Sequence, residues 1–465
     1  MSELPDFKDG PNYLALGVDT ATVWDYHANP MPLLRDMELT KGVPVTTRYE
    51  SRTGSPTKPP RRSSPTSVGH PLRCAVGHNE RVAPVLGWGI AGRRKYKGHW
   101  TSYEERKPLI DCDAHQCFGN LSALLQWVDP AHRDYLRHVG FGGFKLPNHS
   151  TWSQPYGTVD NDSVPPDCEP PGFDYKTVRE RLLDPFDVEY AVLTGEDILT
   201  ISSLLNPQAA AAVATAYNRY LIDELLSCDY RLKGSLMVAT QDVQRAAEEI
   251  RTFGDHPDVV QVLLPCAATS DYGDPRYHPI YEAAVEVGLP VALHVGVEEL
   301  GMKPPRSATA YPGYYDAEWH FLLVQWAISH LISLVFYGVF EKYPELRVVV
   351  IEAGVTWLPT LLWNVDADWK ALRAEVPWVK QPPGEIVREH VRLTTQPLDE
   401  LDSREKLRRT LEVVDGLEDM LMFATGYPHG EYDRLDLVSR WLPTSWREKV
   451  MSENARALYG LPAWP

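Results

Sequence analysis

From residue 108 onward, short and nearly continuous apolar runs alternate with longer amphipathic segments. Runs of that kind suit strands covered on both faces, and their alternation with helix-length segments is the pattern of βα units around a parallel sheet. Eight candidate strands follow in order: PLIDCDAH from 108, EYAVLTG from 189, GSLMVAT from 234, VVQVLLP from 259, PVALHVG from 290, RVVVIEAG from 347, HVRLTTQ from 390 and MLMFATG from 420. Between them, NPQAAAAVATAYNRYLIDELLS from 206, QDVQRAAEEIRTF from 241 and DAEWHFLLVQWAISHLISLVFYGVFEKYP from 316 read as helices, with Asn206 and Asp316 placed to cap the first and last. Eight units in succession predict an α/β fold, a (β/α)8 TIM barrel over residues 107–465. A doubly wound open sheet competes, but no strand is followed by the GxGxxG of a dinucleotide site. About seventy residues rich in Pro, Gly and Trp separate the first two strands, and an insertion there is expected to lie over the strand carboxyl ends as a lid.

Residues 1–106 have a different texture and read as an N-terminal extension. The stretch SPTKPPRRSSPTSVGHP at 55–71 has too little apolar surface to fix its backbone and reads as an exposed loop or linker. The flanking segments YLALGVDTATVWDYH and RVAPVLGWGIAGRRKY are suited to docking as strands or as irregular coil.

Composition narrows the function classes. Hydrophobic residues are 43% and charged residues 23% of the 465, the balance of an ordinary globular protein. A formal net charge of −17 argues against a general nucleic-acid binder, which needs clustered Lys and Arg to displace counterions. The opening MSELPDFKDG lacks the basic flank and apolar run of a signal peptide, and no apolar stretch is long enough to span a bilayer. A soluble, cytoplasmic protein without nucleic-acid or membrane partners is expected. The six cysteines, Cys74, Cys112, Cys117, Cys168, Cys228 and Cys266, are scattered without CxxC pairs and read as reduced thiols.

Catalytic groups of a (β/α)8 barrel come from the carboxyl ends of its strands. Asp113 and His115 end the first, His294 ends the fifth, Glu352 lies near the end of the sixth and His429 follows the eighth. Alternate strand residues share a face, so Asp113 and His115 can converge on one ion, with His294 from across the mouth as a third ligand and water in an open position. Asp111 faces the same side but deeper, where a structural role is expected. Cys112 faces the other way, as a small buried hydrophobe. His320 and His330 sit in an apolar helix and read as packing or oligomer contacts, and His278 as the start of a helix. Tyr427 and Trp357 suit the core or a pocket wall equally. Asp433 is suited either to a helix's first turn or to chemistry. The absence of GxSxG, HExxH and Walker sequences leaves serine hydrolase, zincin and nucleotidase readings without support.

The segments DCDAH, LPVALHVG, GVFEKYPELRVVVIEAGVTWLP, RLTTQPLDE, MLMFATGYPHGEYD and ENARALYGL resemble the amidohydrolase-related family that includes aminocarboxymuconate semialdehyde and resorcylate decarboxylases. The resemblance covers roughly residues 107–462 and is specific through the combination of motifs. It implies a distorted (β/α)8 barrel, usually oligomeric, with one divalent ion, commonly zinc or manganese. Asp113 and His115 match its first-strand ligand pair, and His294 its fifth-strand ligand. Glu352 falls where many members carry a proton-transferring His, and a branch has Glu there within a similar E-x-G-x-x-W-x-P string. The departure is Gly426. The family's S-D-Y-P-H supplies an Asp that binds metal and handles a proton, where this chain reads Thr425, Gly426, Tyr427, Pro428, His429. Asp433, Glu431 or Glu352 could substitute, three ligands could suffice, or the metal could be lost.

The implied activity is a metal-dependent hydrolase or decarboxylase acting on a small carboxylated or amide-bearing molecule, with Glu352, His429 and Asp433 as candidates for moving protons. Two other readings stay open. One is a degenerate barrel in a hetero-oligomer that supports an active homologous partner, and the other is a metal-free acid–base enzyme. A homo-oligomer is the expectation for an active chain.

Overall fold

The computed structural model describes residues 108–116, 121–138, 175–295, 316–398, 403–429 and 435–463. The N-terminal extension, most of the expected lid, Glu431 and Asp433 lie outside the described residues.

All eight predicted strands form. They are β1 (Ile110–Ala114), β2 (Tyr190–Leu193), β3 (Leu232–Met237), β4 (Val259–Pro265), β5 (Val291–His294), β6 (Val348–Ile351), β7 (Val391–Thr394) and β8 (Leu421–Met422). Each pairs in parallel with the next in sequence order. The ring closes where β8 returns to β1: Cys112 N donates to Phe423 O at 2.9 Å, Gly426 N to Asp113 O at 3.0 Å and His115 N to Tyr427 O at 2.7 Å. Apart from Arg392, every strand residue is buried, which is what continuous apolar runs require of strands enclosed by helices.

The helices begin where the sequence supplies caps. Asn206 accepts from Gln208 N and Ala209 N at 3.0 and 3.2 Å, Pro207 takes the first helical position, and the helix Pro207–Tyr220 buries Ala209, Ala210, Val213, Ala214 and Tyr217 at helical spacing. Asp242 caps Val243–Phe253 through Arg245 N at 3.2 Å. His278 opens the helix His278–Val287, as expected.

The apolar segment from 316 forms the helix Asp316–Phe336. His330 on it is fully buried. Its Nδ1 accepts from Tyr272 N at 3.1 Å and its Nε2–H donates to Cys266 O at 2.8 Å, so it ties the segment after β4 to this helix. Burial pushes its imidazole down to about 4, keeping it neutral. No helix among the described residues is long and apolar enough to cross a membrane.

Register sets the level of the site. Pro265 pairs with His294, and His294 with Ile351, so Glu352 begins one residue above His294's level. The carboxyl ends of β1, β2, β5, β6, β7 and β8 therefore bring their next residues to one mouth.

Candidate metal centre at the barrel mouth

The alternation of β1 sorts its polar residues. Cys112 faces away from Asp113 and His115 and is fully buried. Asp111 lies below them and staples β8 to β1. It accepts from Thr425 N at 3.0 Å, Thr425 Oγ1 at 2.6 Å and Asp113 N at 3.2 Å, while burial pushes its carboxyl up to about 7. Asp113, also fully buried, accepts from Thr194 Oγ1 of the β2 end at 2.6 Å.

Each neighbouring imidazole commits one nitrogen to a backbone carbonyl. His115 Nδ1 donates to Gly195 O at 2.6 Å, and His294 Nδ1 to Val295 O at 2.5 Å. That choice of tautomer leaves both Nε2 atoms facing inward, 3.5 and 3.4 Å from Asp113 Oδ1. Gly195 makes the arrangement possible. Its φ of +74° turns the carbonyl toward His115, its N donates to Gln116 Oε1 at 2.8 Å, and a Cβ there would meet Ile198 Cγ2 at 2.4 Å.

Glu352 reaches the same space from β6. Its φ is +60°, uncommon for a residue with a side chain, and its N donates to Thr394 Oγ1 at 3.0 Å. Oε2 stands 3.6 Å from His294 Nε2, and Oε1 stands 4.0 Å from His429 Nε2 and accepts from Gln396 Nε2 at 3.4 Å. Asp113, His115, His294 and Glu352 offer ligand atoms that all lie within 4.8 Å of one another.

A second group shares His115. Glu196, just beyond the β2 end, places Oε2 3.2 Å from His115 Nδ1 and 3.4 Å from His429 Nε2. The His115 and His429 rings meet edge to face, 4.4 Å between centroids.

The charges are strongly coupled. Burial acts to raise the Asp113 carboxyl, but the His115 and His294 imidazoles hold it well below the usual range. Burial acts to lower His115, and Asp113 outweighs it, raising that imidazole well above its ordinary value. At Glu196 burial opposes ionisation and His429, then His115, win, bringing the carboxyl to about 2. His429 is raised against the effect of burial, chiefly by Glu196.

Five of the residues singled out in the sequence, Asp113, His115, His294, Glu352 and His429, thus come together. Glu196, Thr194 and Gln396 were missed. The strand-end rule applied to EYAVLTG, followed one residue further, reaches Glu196, whereas nothing local marks Thr194 or Gln396. Gly426 supplies the backbone amide that closes the barrel on Asp113 O, and no ligand atom.

Residues 110–461, more than half of the chain, match the family model described as amidohydrolase. The chain belongs to the amidohydrolase family. This amidohydrolase-family chain is 25% identical over 320 residues to a gamma-resorcylate decarboxylase of Rhodococcus jostii, spanning 63% of this chain and 92% of that protein. Among solved structures, an amidohydrolase from Mycobacterium avium subspecies paratuberculosis superposes with a TM-score of 0.58 at 19% identity, covering 77% of this chain and all of that one (100%). A dihydroxybenzoic acid decarboxylase from a Polaromonas species, solved with bound manganese and 2-nitroresorcinol, gives a TM-score of 0.53 at 18% identity over 77% of this chain and 98% of that one. At such identities these structures establish a shared barrel.

The donor set of this amidohydrolase-family chain fits a divalent cation. Asp113 Oδ2, His115 Nε2 and His294 Nε2 are buried and have no hydrogen-bond partner among the described residues, a state that costs about 1–3 kcal/mol for each polar atom and more for a charged one. All three belong to the four-residue group. Two carboxylates and two imidazoles are the donors that manganese or zinc accepts.

Proposed function

We propose that this chain is a metal-dependent decarboxylase of small carboxylated aromatic acids, with one manganese or zinc ion held by Asp113, His115, His294 and Glu352. The observation that carries the reading is the convergence, with the Glu352 carboxylate, of three buried ligand atoms that make no hydrogen bond among the described residues. Two carboxylates would balance one divalent charge, which keeps the buried mouth neutral. When bound, the ion would draw electron density from the carboxylate and hydroxyl oxygens of an aromatic acid. Two gamma-resorcylate decarboxylases among the relatives support the substrate class.

Decarboxylation breaks the bond between the ring carbon and the carboxyl carbon. The electron pair stays on the ring carbon, which takes up a proton as carbon dioxide leaves. His429 is placed to hold that proton on Nε2, 3.4 Å from Glu196 and 4.0 Å from Glu352, at the edge of the ligand cluster. Glu196 favours the protonated imidazole, the form that can donate a proton to carbon. Hydrolysis would call instead for a base that activates water. Asp433, the other proton-transfer candidate, is assigned no step. All these groups come from one chain, which favours an active enzyme over a barrel that only supports a partner.

The test is elemental analysis of the protein purified without chelators, beside Asp113→Ala and His294→Ala, followed by assay of carbon dioxide release from 2,6-dihydroxybenzoate and 5-carboxyvanillate. We expect about one divalent ion per chain, lost in both variants, and turnover of at least one such acid. A parent that takes up neither manganese nor zinc when they are supplied would sink the metal reading.

A further inference from the structure

We propose that Gln396 is a positioning residue: it fills the space above Gly426 and aims the Glu352 carboxylate at the metal centre, so that the glycine is the partner this amide requires. The inference rests on the metal reading above.

Gln396 follows β7 and is 1% exposed. Its amide lies across the face of Gly426. A Cβ on Gly426 would stand 2.7 Å from Gln396 Cδ and 2.8 Å from Nε2, closer than such contacts are tolerated, and 3.1 Å from Oε1. Even alanine at 426 would therefore displace the amide, and the φ of +68° adds strain for any side chain. Gly426 and Gln396 have to be read as a unit.

What the amide does there is set by its donor. Gln396 Nε2 donates to Glu352 Oε1 at 3.4 Å, leaving Oε2 of the same carboxylate on the side of His294 Nε2, 3.6 Å away. Thr394, also from β7, holds the Glu352 backbone at 3.0 Å. β7 thus grips Glu352 at both ends, and the grip stabilises a residue whose φ of +60° is costly by itself. Packing alone does not account for a glutamine: its Oε1 is buried without a hydrogen-bond partner among the described residues, a cost that an apolar side chain of the same shape would not incur. An uncharged donor at this place orients Glu352 without adding a third negative charge to Asp113 and Glu352.

The experiment is a double-mutant cycle read as metal affinity. The full-length protein is stripped with chelator and titrated with Mn²⁺ alone by calorimetry, as parent, Gln396→Met, Glu352→Gln and the double variant, with melting of each metal-free protein measured in parallel. Gln396→Met keeps the volume and removes the donor. It should weaken Mn²⁺ binding about tenfold, the usual effect of losing a residue that orients a ligand. In the Glu352→Gln background the same change should alter Kd by less than about twofold. Gly426→Ala should reproduce the loss by pushing the amide aside, and it carries the test if Gln396→Met does not fold.

Equal losses in both backgrounds, or lower melting temperatures with Mn²⁺ affinity unchanged, would overturn the assignment by reducing Gln396 to packing. A parent that binds no Mn²⁺ would instead remove the metal reading, and this inference with it.

Discussion

Glu196 decides how His429 behaves. Among the described residues it is the carboxylate nearest the His429 Nε2, at 3.4 Å, and it opposes the effect of burial on that ring. An imidazole that donates a proton works while protonated, so activity should fall as pH rises through its pKa. Neutralising Glu196 lowers that pKa. In Glu196→Gln, the alkaline fall of kcat should therefore move to lower pH, and kcat at neutral pH should drop by about 10²-fold, within the range for removing acid catalysis. Metal content measured by elemental analysis should stay at the parent's level if the ion sits in the proposed group of Asp113, His115, His294 and Glu352 and not in the neighbouring group of His115, Glu196 and His429. A pH profile that does not move would show that Glu196 only orients the ring.

At the scale of elements, the shortest strand closes the barrel. β8 spans only Leu421–Met422, and its continuation is held to β1 by the Asp111–Thr425 staple as well as by backbone bonds. Thr425→Val removes the Oγ1 donor and also the acceptor that Tyr427 N uses at 3.0 Å. Leaving the fully buried Asp111 short of a partner should cost about 1–3 kcal/mol in chemical denaturation. Because β1 carries Asp113 and His115, Mn²⁺ affinity should fall as well. Asn206→Ala offers the contrast. Loss of that cap should cost about 1 kcal/mol and leave metal affinity unchanged, since the Asn206 side chain bonds Gln208, Ala209 and Tyr135 and none of the residues proposed to hold the ion. If both variants changed affinity alike, the staple would have no special bearing on the site.

For the whole molecule, His330 ties stability to pH. Its folded-state value of about 4 lies below the ordinary 6.5, so the unfolded chain binds the extra proton between those values. Stability from burying the neutral ring is complete above about 6.5 and is lost as pH falls toward about 4, on the order of 3 kcal/mol in all. Denaturation of the chelated protein at several pH values should give a shallower slope in this window for His330→Gln. An unchanged slope would place the acid sensitivity elsewhere.

The barrel itself was legible in the sequence. Eight continuous apolar runs alternating with helices call for a parallel sheet covered on both faces, eight such units suit a closed barrel, and strand ends then single out Asp113, His115, His294, Glu352 and His429 without any knowledge of distance. The tertiary structure decided how those groups are tuned. Thr194 on Asp113, Gly195 on His115 and Gln396 on Glu352 act across 81, 80 and 44 residues of chain, and Glu196 on His429 across still more. Their effect comes from register and closure, which bring neighbouring strand ends to one level. A threonine, a glycine and a glutamine carry no periodic signal, because hydrogen-bond geometry between strands is a property of the folded ring and not of either strand alone.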